Sequence, residues 1–330
     1  MDVLMTETAY AAFAADVRAV NPMIGLLAMD RDGTIRRDAA GAPLDWDDAH
    51  PEVIWSTYDL FPDQGVRRFY GFAGRCGSLR WFASAAAGFE TPFYAGLIDR
   101  GVRLTTGHGT RVAIAEFVLR AVLDAFQDAG AWRRLQAERR WERAPFAFRE
   151  VDGSRWLVWG MGHIGGEVAR RARALGAEVV GVRRTPRGDE PVDVLCTPQE
   201  ATDRIGWADV VVLTAASNAS TARLVDAGFL AAMRPDAVLV NIARGDLVDE
   251  EALVASLDAG RPGTAVLDVF ATEPLPAESP LWGHPRVVVS PHEAGASREA
   301  NRRFAPEFCE NLGRYLAGLP LVDERTAADL

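Results

Sequence analysis

The chain has 330 residues, of which 48% are hydrophobic and 25% charged, and this length predicts two domains because single cores rarely grow beyond about 250–300 residues. Its net charge of -10 argues against a nucleic-acid partner, since binding phosphates requires a basic face. All 36 basic residues are arginine, which excludes a Schiff-base lysine and the lysine of a P-loop.

The first 110 residues have a mixed pattern. A loop-like stretch at 30–48 is flanked by apolar runs at 23–29 and 53–55. Residues 79–89 predict a strand that leads into a turn of small residues, and residues 102–105 predict another short strand.

Residues 112–127 predict an amphipathic helix, because their apolar side chains recur at helical spacing. Residues 132–143 continue as an arginine-rich amphipathic segment. Such a segment could attract an anionic partner, but a solvated helical face or a subunit arm is the favoured interpretation.

After residue 150, short apolar strands alternate with helices. The predicted strands are 156–159, 178–182, 210–213, 237–241, 264–268 and 287–290. The predicted helices are 165–175, 228–233, 250–259 and, near the end of the chain, 298–316. This alternation predicts a parallel sheet covered by helices on both faces.

Cysteine usage and hydropathy bear on location. Cys76, Cys196 and Cys309 are far apart and outside metal-ligand spacing, so neither a disulfide framework nor a metal site is expected. No stretch reaches the roughly 20 apolar residues needed to cross a bilayer, and the N-terminus lacks signal-peptide features. These observations predict a cytoplasmic protein with no membrane partner.

A glycine-rich hexapeptide, GMGHIG at 160–165, follows a predicted strand directly and opens a predicted helix. Gly160 permits a tight turn, Gly162 lets a pyrophosphate approach the backbone, and Gly165 lets the helix and strand pack closely. The helix N-terminus supplies free amide groups for the anion. This context predicts a dinucleotide-binding site.

The end of the next predicted strand bears on cofactor choice. NAD(H) sites usually carry an acidic residue there for the ribose 2′-hydroxyl, but here Arg183 and Arg184 follow the strand. Two arginines suit a 2′-phosphate, so NADP(H) is favoured. If these arginines form only a solvated loop, NAD(H) use is possible.

Three downstream segments complete a recognisable pattern: VNIARGDLVD at 240–249, LDVFATEPLP at 267–276 and VSPHEAG at 289–295. Together with the glycine motif they resemble the D-isomer-specific 2-hydroxyacid dehydrogenase family, which includes glyoxylate/hydroxypyruvate reductases. The resemblance runs from about residue 79 to residue 295.

The resemblance implies an α/β fold of two domains. A Rossmann-type doubly wound parallel sheet would comprise residues 111–297 and bind the dinucleotide. A smaller, flavodoxin-like α/β substrate domain would comprise residues 1–110 and 298–330. The resemblance also implies a homodimer formed through residues 112–141.

The resemblance assigns roles that the chemistry explains. Reducing a 2-keto acid requires a proton for the carbonyl oxygen, and His292 matches the family's acid/base histidine. Glu273 matches the carboxylate behind it, and Arg244 matches the arginine that binds the substrate acid. Ala87 and Gly88 match a turn whose amides hold the substrate carboxylate.

The remaining matched positions concern the cofactor. The residues predicted to bind it are Gly160, Gly162, His163, Ile164, Gly165, Arg183, Arg184, Ala243 and Asp268, the last against the nicotinamide amide.

The sequence therefore predicts an oxidoreductase that transfers a hydride between NADP(H), or NAD(H), and a small 2-keto or 2-hydroxy acid. A nucleotide-sensing, corepressor-like binding protein is one alternative. An NADP-dependent dehydrogenase of another small acid is a second.

Overall fold

The computed structural model of the chain describes residues 1–60, 65–86, 88–89, 91–142 and 148–329. The chain divides into two compact units, one of Met1–Thr110 with Ser297–Leu330 and the other of Arg111–Ala296. Among the described residues, no helix is both long enough and apolar enough to span a bilayer.

The described residues form strands and α-helices that are numbered in chain order. The strands are β1 (Asp2–Thr6), β2 (Gly25–Met29), β3 (Ile35–Arg37), β4 (Pro43–Leu44), β5 (Val53–Trp55), β6 (Trp81–Ser84), β7 (Arg103–Thr106), β8 (Arg155–Trp159), β9 (Glu178–Val182), β10 (Val194–Cys196), β11 (Val210–Leu213), β12 (Val238–Asn241), β13 (Thr264–Leu267), β14 (Val287–Val289) and β15 (Glu324–Arg325). The helices are α1 (Glu7–Val20), α2 (Gly65–Arg75), α3 (Pro92–Asp99), α4 (Arg111–Phe126), α5 (Ala129–Ala137), α6 (His163–Ala174), α7 (Pro198–Ala201), α8 (Ala227–Ala232), α9 (Glu250–Asp258) and α10 (Ala300–Leu316).

The unit that contains both chain ends has an 8-stranded sheet in the order β15-β7-β6-β5-β1-β2-β3-β4. Its five central strands, from β7 to β2, are parallel and follow the doubly wound order of flavodoxin-like folds. Apolar side chains cover both faces of the sheet, and α10 packs on one of them through Phe304 and Phe308. The predicted α/β class is confirmed for this unit.

Residues 30–48, predicted to be loop-like, contain the two short strands β3 and β4. Both pair antiparallel at the edge of the sheet, β3 with β2 and β4 with β3. They have three and two residues, so neither is long enough to show an alternating pattern in the sequence.

The second unit has a 7-stranded, fully parallel sheet in the order β10-β9-β8-β11-β12-β13-β14. This is the Rossmann order with a seventh strand added, so the predicted doubly wound sheet is confirmed. Successive side chains alternate between two cores: Leu157 and Trp159 pack on one face, Trp156 and Val158 on the other. Because both faces are buried, the strands read as continuous apolar runs.

The arginine-rich segment predicted at 132–143 is helical over a shorter range. Helix α5 begins after Asp128, whose side chain accepts a hydrogen bond from the Ala131 amide, and ends at Ala137. Trp132 lies within it and Trp141 follows it, and both side chains are exposed.

A buried carboxylate joins three arginines at the amino end of the second sheet. Asp209 accepts hydrogen bonds at 3.0 Å from both the backbone amide and the guanidinium of Arg155. Arg234 and Arg149 approach its other oxygen at 3.3 and 3.4 Å. Burial acts to raise the pKa of Asp209, but the Arg155 hydrogen bonds and the Arg149 charge outweigh it, so the pKa lies below its ordinary value.

We expect Asp209→Asn to lower the free energy of unfolding at pH 7 by about 2 kcal/mol, because three guanidinium groups lose their common counter-charge. The folded-state pKa is depressed, so this stabilisation is complete above the unfolded value of about 3.9 and is lost as the pH falls through the folded-state pKa. Urea unfolding of both proteins between pH 7 and pH 3 measures the difference, which should shrink in acid.

The matched control is Asp236→Asn, because the half-exposed Asp236 carboxylate pairs with the same Arg234. Exposed pairs contribute little, so this variant should lose less than about 1 kcal/mol. Equal losses in the two variants would contradict the importance of the Asp209 cluster.

Candidate active site

The glycine motif forms a sharp turn at the carboxyl end of β8. Gly160 has a φ of +112°, a conformation that residues with a Cβ rarely adopt, and its amide donates to the Val182 carbonyl at 3.0 Å. A Cβ on Gly160 would lie 2.5 Å from the Ala215 nitrogen. The turn therefore requires glycine at this position.

The next two glycines of the motif have different surroundings. A Cβ on Gly165 would lie 2.0 Å from the Gly160 carbonyl oxygen, so α6 could not pack against the turn without a glycine there. A Cβ on Gly162, the residue that caps α6, would meet no described atom within 4 Å. His163 is exposed and Ile164 half-buried in the first turn. The open, side-chain-free helix N-terminus at Gly162 suits a dinucleotide pyrophosphate.

Thr214, at the end of the neighbouring strand β11, also holds the glycine turn. Its hydroxyl donates to the Gly160 carbonyl at 2.5 Å. Sequence reasoning missed this residue, since only the pairing of β8 with β11 brings it to the motif.

The two arginines that follow β9 have different surroundings. Arg183 is half-buried and donates to the Met161 carbonyl at 2.8 Å and to Glu190 at 3.3 Å. Arg184 is exposed, and its side chain takes part in none of the hydrogen bonds or ion pairs seen between described residues. Arg183 is thus held within the loop, whereas Arg184 is available to a ligand.

Glu190 shapes this loop. Its carboxylate also accepts hydrogen bonds from the amides of Arg187 and Gly188. The Arg187 hydrogen bond is the main cause that holds the pKa of Glu190 below its usual range. The carboxylate stays ionised near neutral pH and keeps the Arg183 guanidinium in place.

Three neighbouring strands bring the downstream motifs to one edge of the second sheet. Leu267 of β13 pairs with Asn241 of β12 and with Val289 of β14, so the three strands end in register. Arg244 follows β12 by three residues and His292 follows β14 by three. Carboxyl ends of parallel strands are where open α/β sheets bind ligands.

The backbone around Arg244 is held by the buried Asn241. The Asn241 amide group donates to the Arg244 carbonyl at 2.8 Å, and its oxygen accepts from the Ala243 amide at 3.1 Å. A Cβ on Gly245 would lie 1.8 Å from the Phe270 carbonyl carbon. The loop is thus fixed by Asn241 and Gly245, whereas the Arg244 side chain is half-buried and Ala243 is buried.

His292 and Glu273 form a hydrogen-bonded pair. His292 Nδ1 lies 2.8 Å from one Glu273 oxygen, and the other oxygen accepts from the Phe270 amide at 3.0 Å. The His292 side chain is 53% exposed, so it is open to a ligand. With Nδ1 bonded to a carboxylate, Nε2 is the ring nitrogen left for proton transfer.

Asp268 holds the backbone that carries His292. Its buried carboxylate accepts hydrogen bonds from the Ser290 hydroxyl at 2.6 Å and from the Glu293 and Ala294 amides at 3.0 Å each. The Asp268 carbonyl accepts from the His292 amide at 2.8 Å. Sequence reasoning did not foresee this positioning, and the predicted contact of Asp268 with a nicotinamide amide stays a prediction.

The small-residue turn predicted to hold the substrate carboxylate follows β6 in the other unit. Ala85 is buried, and Ala86 and Gly88 are half-buried. Ala87 lies outside the described residues.

The sequence model for the NAD binding domain of the D-isomer specific 2-hydroxyacid dehydrogenase family matches residues 119–294, more than half of the chain. The chain belongs to this family. The match covers the glycine motif, the first two downstream motifs and all but the last residue of the third.

Two relatives named as dehydrogenases are similar to this chain in sequence. A D-3-phosphoglycerate dehydrogenase of Synechocystis sp. is 32% identical over 66% of this chain and 39% of its own. An (S)-sulfolactate dehydrogenase of Chromohalobacter salexigens is 35% identical over 66% of this chain and 71% of its own. The chain thus spans less than half of the phosphoglycerate dehydrogenase that it matches.

A solved dehydrogenase structure extends the likeness to both units. The D-isomer specific 2-hydroxyacid dehydrogenase of Xanthobacter autotrophicus Py2, in complex with NADPH and MES, is 28% identical with a TM-score of 0.75. The match covers 98% of this chain and 97% of that one, so the two-unit α/β fold is common to both.

Proposed function

We propose that this dehydrogenase reduces small 2-keto acids to 2-hydroxy acids with NADPH and catalyses the reverse oxidation. The observation that carries the proposal is the His292–Glu273 pair, which lies on the same sheet edge as Arg244. Family membership supports the same reaction class.

A nicotinamide cofactor, when bound at the glycine turn, would supply the hydride for the keto carbon. His292 donates the Nε2 proton to the carbonyl oxygen as the hydride arrives, so the alcohol forms with no net charge left on oxygen. Glu273, bonded to Nδ1, orients the ring and offsets the charge of its protonated form. Arg244 binds the substrate carboxylate and stabilises the charge that develops on the carbonyl oxygen.

We place the cofactor on the second unit. Gly160, Gly162 and Gly165 form the turn for the pyrophosphate, and His163 and Ile164 begin the helix beside it. Arg184 pairs with the 2′-phosphate, while Arg183 braces the loop through Glu190. The relative from Xanthobacter autotrophicus Py2 binds NADPH, which supports this preference.

The first unit is the substrate domain in this proposal. The backbone amides of Ala87 and Gly88 hold the substrate carboxylate. Two relatives are named for phosphoglycerate and sulfolactate, which are small 2-hydroxy acids, and this supports a substrate of that class.

We also propose a homodimer and a cytoplasmic location. The dimer would form through residues 112–141, where Trp132 of α5 and the following Trp141 have exposed side chains. The Trp132 ring also packs edge-to-face on the exposed Phe148. The three cysteines are free, which fits a reducing compartment.

The test of the function is oxidation of NADPH and of NADH against a panel of 2-keto acids. The panel holds glyoxylate, hydroxypyruvate, pyruvate and phenylpyruvate, with the keto acids that correspond to phosphoglycerate and sulfolactate. Turnover with NADPH on at least one acid is the expected result. Cofactor binding without turnover of any acid would favour the nucleotide-sensing alternative.

The same assay tests the cofactor preference. We expect Arg184→Gln to raise the KM for NADPH roughly tenfold, because one charge-assisted contact is lost, and to leave the KM for NADH unchanged. Arg170→Gln is the control, since Arg170 is exposed on α6 and pairs with Glu167. Equal changes for the two cofactors would reject the role of Arg184.

A further inference from the structure

Four buried or half-buried hydroxyl groups lie beside the small-residue turn of the first unit. Ser56 follows β5 and Ser84 ends β6, the neighbouring parallel strand. Tyr70 lies on α2 and Tyr94 on α3. Ser56, Ser84 and Tyr94 are each less than 5% exposed, so each hydroxyl depends on partners within the protein.

These hydroxyls form a continuous chain of hydrogen bonds. Ser84 Oγ lies 2.9 Å from the Tyr94 hydroxyl, which lies 3.1 Å from the Tyr70 hydroxyl. The Tyr70 hydroxyl in turn lies 3.4 Å from Ser56 Oγ. This series of hydrogen bonds thus connects the ends of two strands through two helices.

Both ends of this series of hydrogen bonds accept from backbone amides of the turn itself. The Ala86 amide donates to Ser84 Oγ at 3.1 Å, and the Ala85 amide donates to Ser56 Oγ at 3.3 Å. The hydrogen bonds therefore close into a ring that begins and ends on two successive peptides. We name this set of four hydroxyls and two amides the hydroxyl ring.

Backbone bonds fix the residues before the turn. The Gly107 amide donates to the Ser84 carbonyl at 2.8 Å, and the Ser56 amide donates to the Ala83 carbonyl at 2.9 Å. Past Ser84, the orientation of the peptides at Ala85 and Ala86 depends on the hydroxyl ring.

From this geometry we propose that Ser56, Tyr70, Ser84 and Tyr94 are positioning residues for substrate binding. They hold the Ala85 and Ala86 peptides in one orientation and so position the turn to which the proposed function assigns the substrate carboxylate. The inference rests on the proposed function, in which that turn binds the carboxylate. The ring itself does not touch the substrate.

The tyrosine rings allow a clean test. Tyr70 and Tyr94 pack edge-to-face against Phe82, and Phe93 also contacts both. Tyr94→Phe therefore keeps the aromatic packing and removes only the hydroxyl. Ser84→Ala removes the acceptor of the Ala86 amide directly.

We expect Ser84→Ala to raise the KM for the keto acid about tenfold and Tyr94→Phe about fivefold, as lost buried hydrogen bonds do. The kcat and the KM for NADPH should stay within about twofold of wild type, since neither His292 nor the cofactor turn is altered. Because the two residues act through one ring, the double variant should match Ser84→Ala rather than multiply the two effects.

Tyr315→Phe is the matched control. The Tyr315 hydroxyl also donates to a partner within the first unit, Glu52 at 2.7 Å, but Glu52 precedes β5 and lies at the opposite end of that strand from Ser56. Its loss should leave the KM for the keto acid unchanged. Thermal unfolding of each variant, with and without NADPH, confirms that it is folded.

Three outcomes overturn the inference. An unchanged KM for the keto acid in both variants, with active wild-type enzyme, rejects the positioning role and leaves the proposed function intact. If Tyr315→Phe also raises the KM for the keto acid, or if the two variants also raise the KM for NADPH, the cause is a general loss of stability. A wild type that reduces no acid rejects the proposed function itself, and the inference with it.

Discussion

Replacing His292 with asparagine is expected to lower kcat by roughly 10²–10⁴-fold while the Kd for NADPH stays unchanged, because only the proton donor is lost. Asparagine is the right replacement here. His292 has a φ of +54°, a conformation that asparagine tolerates better than most residues, so the turn that Asp268 holds can persist. Stopped-flow or steady-state NADPH oxidation with the best acid of the panel measures the loss.

His284→Asn is the control for this variant. His284 precedes β14 and pairs with Asp258 at 3.4 Å, far along the strand from the site edge. We expect its kcat to remain near wild type. If His292→Asn retained more than about a tenth of wild-type turnover, proton transfer by His292 would be rejected.

Arg244→Ala is expected to lower kcat/KM by roughly 10²–10³-fold, because the substrate carboxylate loses a charged partner that can bind it through two parallel hydrogen bonds. The loop should survive the change, since Asn241 holds it through backbone atoms alone. Arg244→Lys should recover only part of the loss, because a lysine is a point charge and lacks the planar fork.

Arg223→Gln is the matched control for Arg244. Arg223 lies in the same unit with a largely exposed side chain and pairs with Asp249. Its loss should change kcat/KM by less than about twofold. Comparable losses at Arg223 and Arg244 would mean that general charge attraction, and not a bound carboxylate, explains the effect.

The two acidic residues near His292 hold different parts of it. Glu273 binds the ring at Nδ1, and the Asp268 carboxylate accepts from the Ser290 hydroxyl before the residue and from the Ala294 amide after it. A ring held from two directions keeps Nε2 in one place, which is the preorganisation that the proposed proton transfer requires.

Sequence patterns predicted the second unit well. The strands predicted at 178–182 and 210–213 have the observed bounds Glu178–Val182 and Val210–Leu213. Both are apolar runs rich in valine, buried on both faces of a parallel sheet. The strand predicted at 264–268 ends one residue earlier, at Leu267, because Asp268 turns its carboxylate to the Ser290–Ala294 segment.

Other features depend on pairing across the sheet. Thr214 reaches the glycine turn, and Asp209 reaches Arg155, each across 54 residues or more of sequence. The hydroxyl ring joins α2 and α3 to the ends of two strands. No local pattern marks such residues, since serine, threonine and tyrosine occur at the same spacing in ordinary loops.

The sequence by itself determined the class of the fold and the glycine turn, and through the family resemblance it predicted Arg244, Glu273 and His292 as a set. The fold class and the turn follow from short-range physics, namely apolar strands and glycines that permit a turn, whereas the three site residues follow from the resemblance. Only the tertiary structure decided that Asp268 holds the His292 backbone, that Arg183 is braced while Arg184 is exposed, and that a hydroxyl ring accepts hydrogen bonds from the small-residue turn. The reason is that each depends on strand register and loop path, which bring together groups that are distant in the chain.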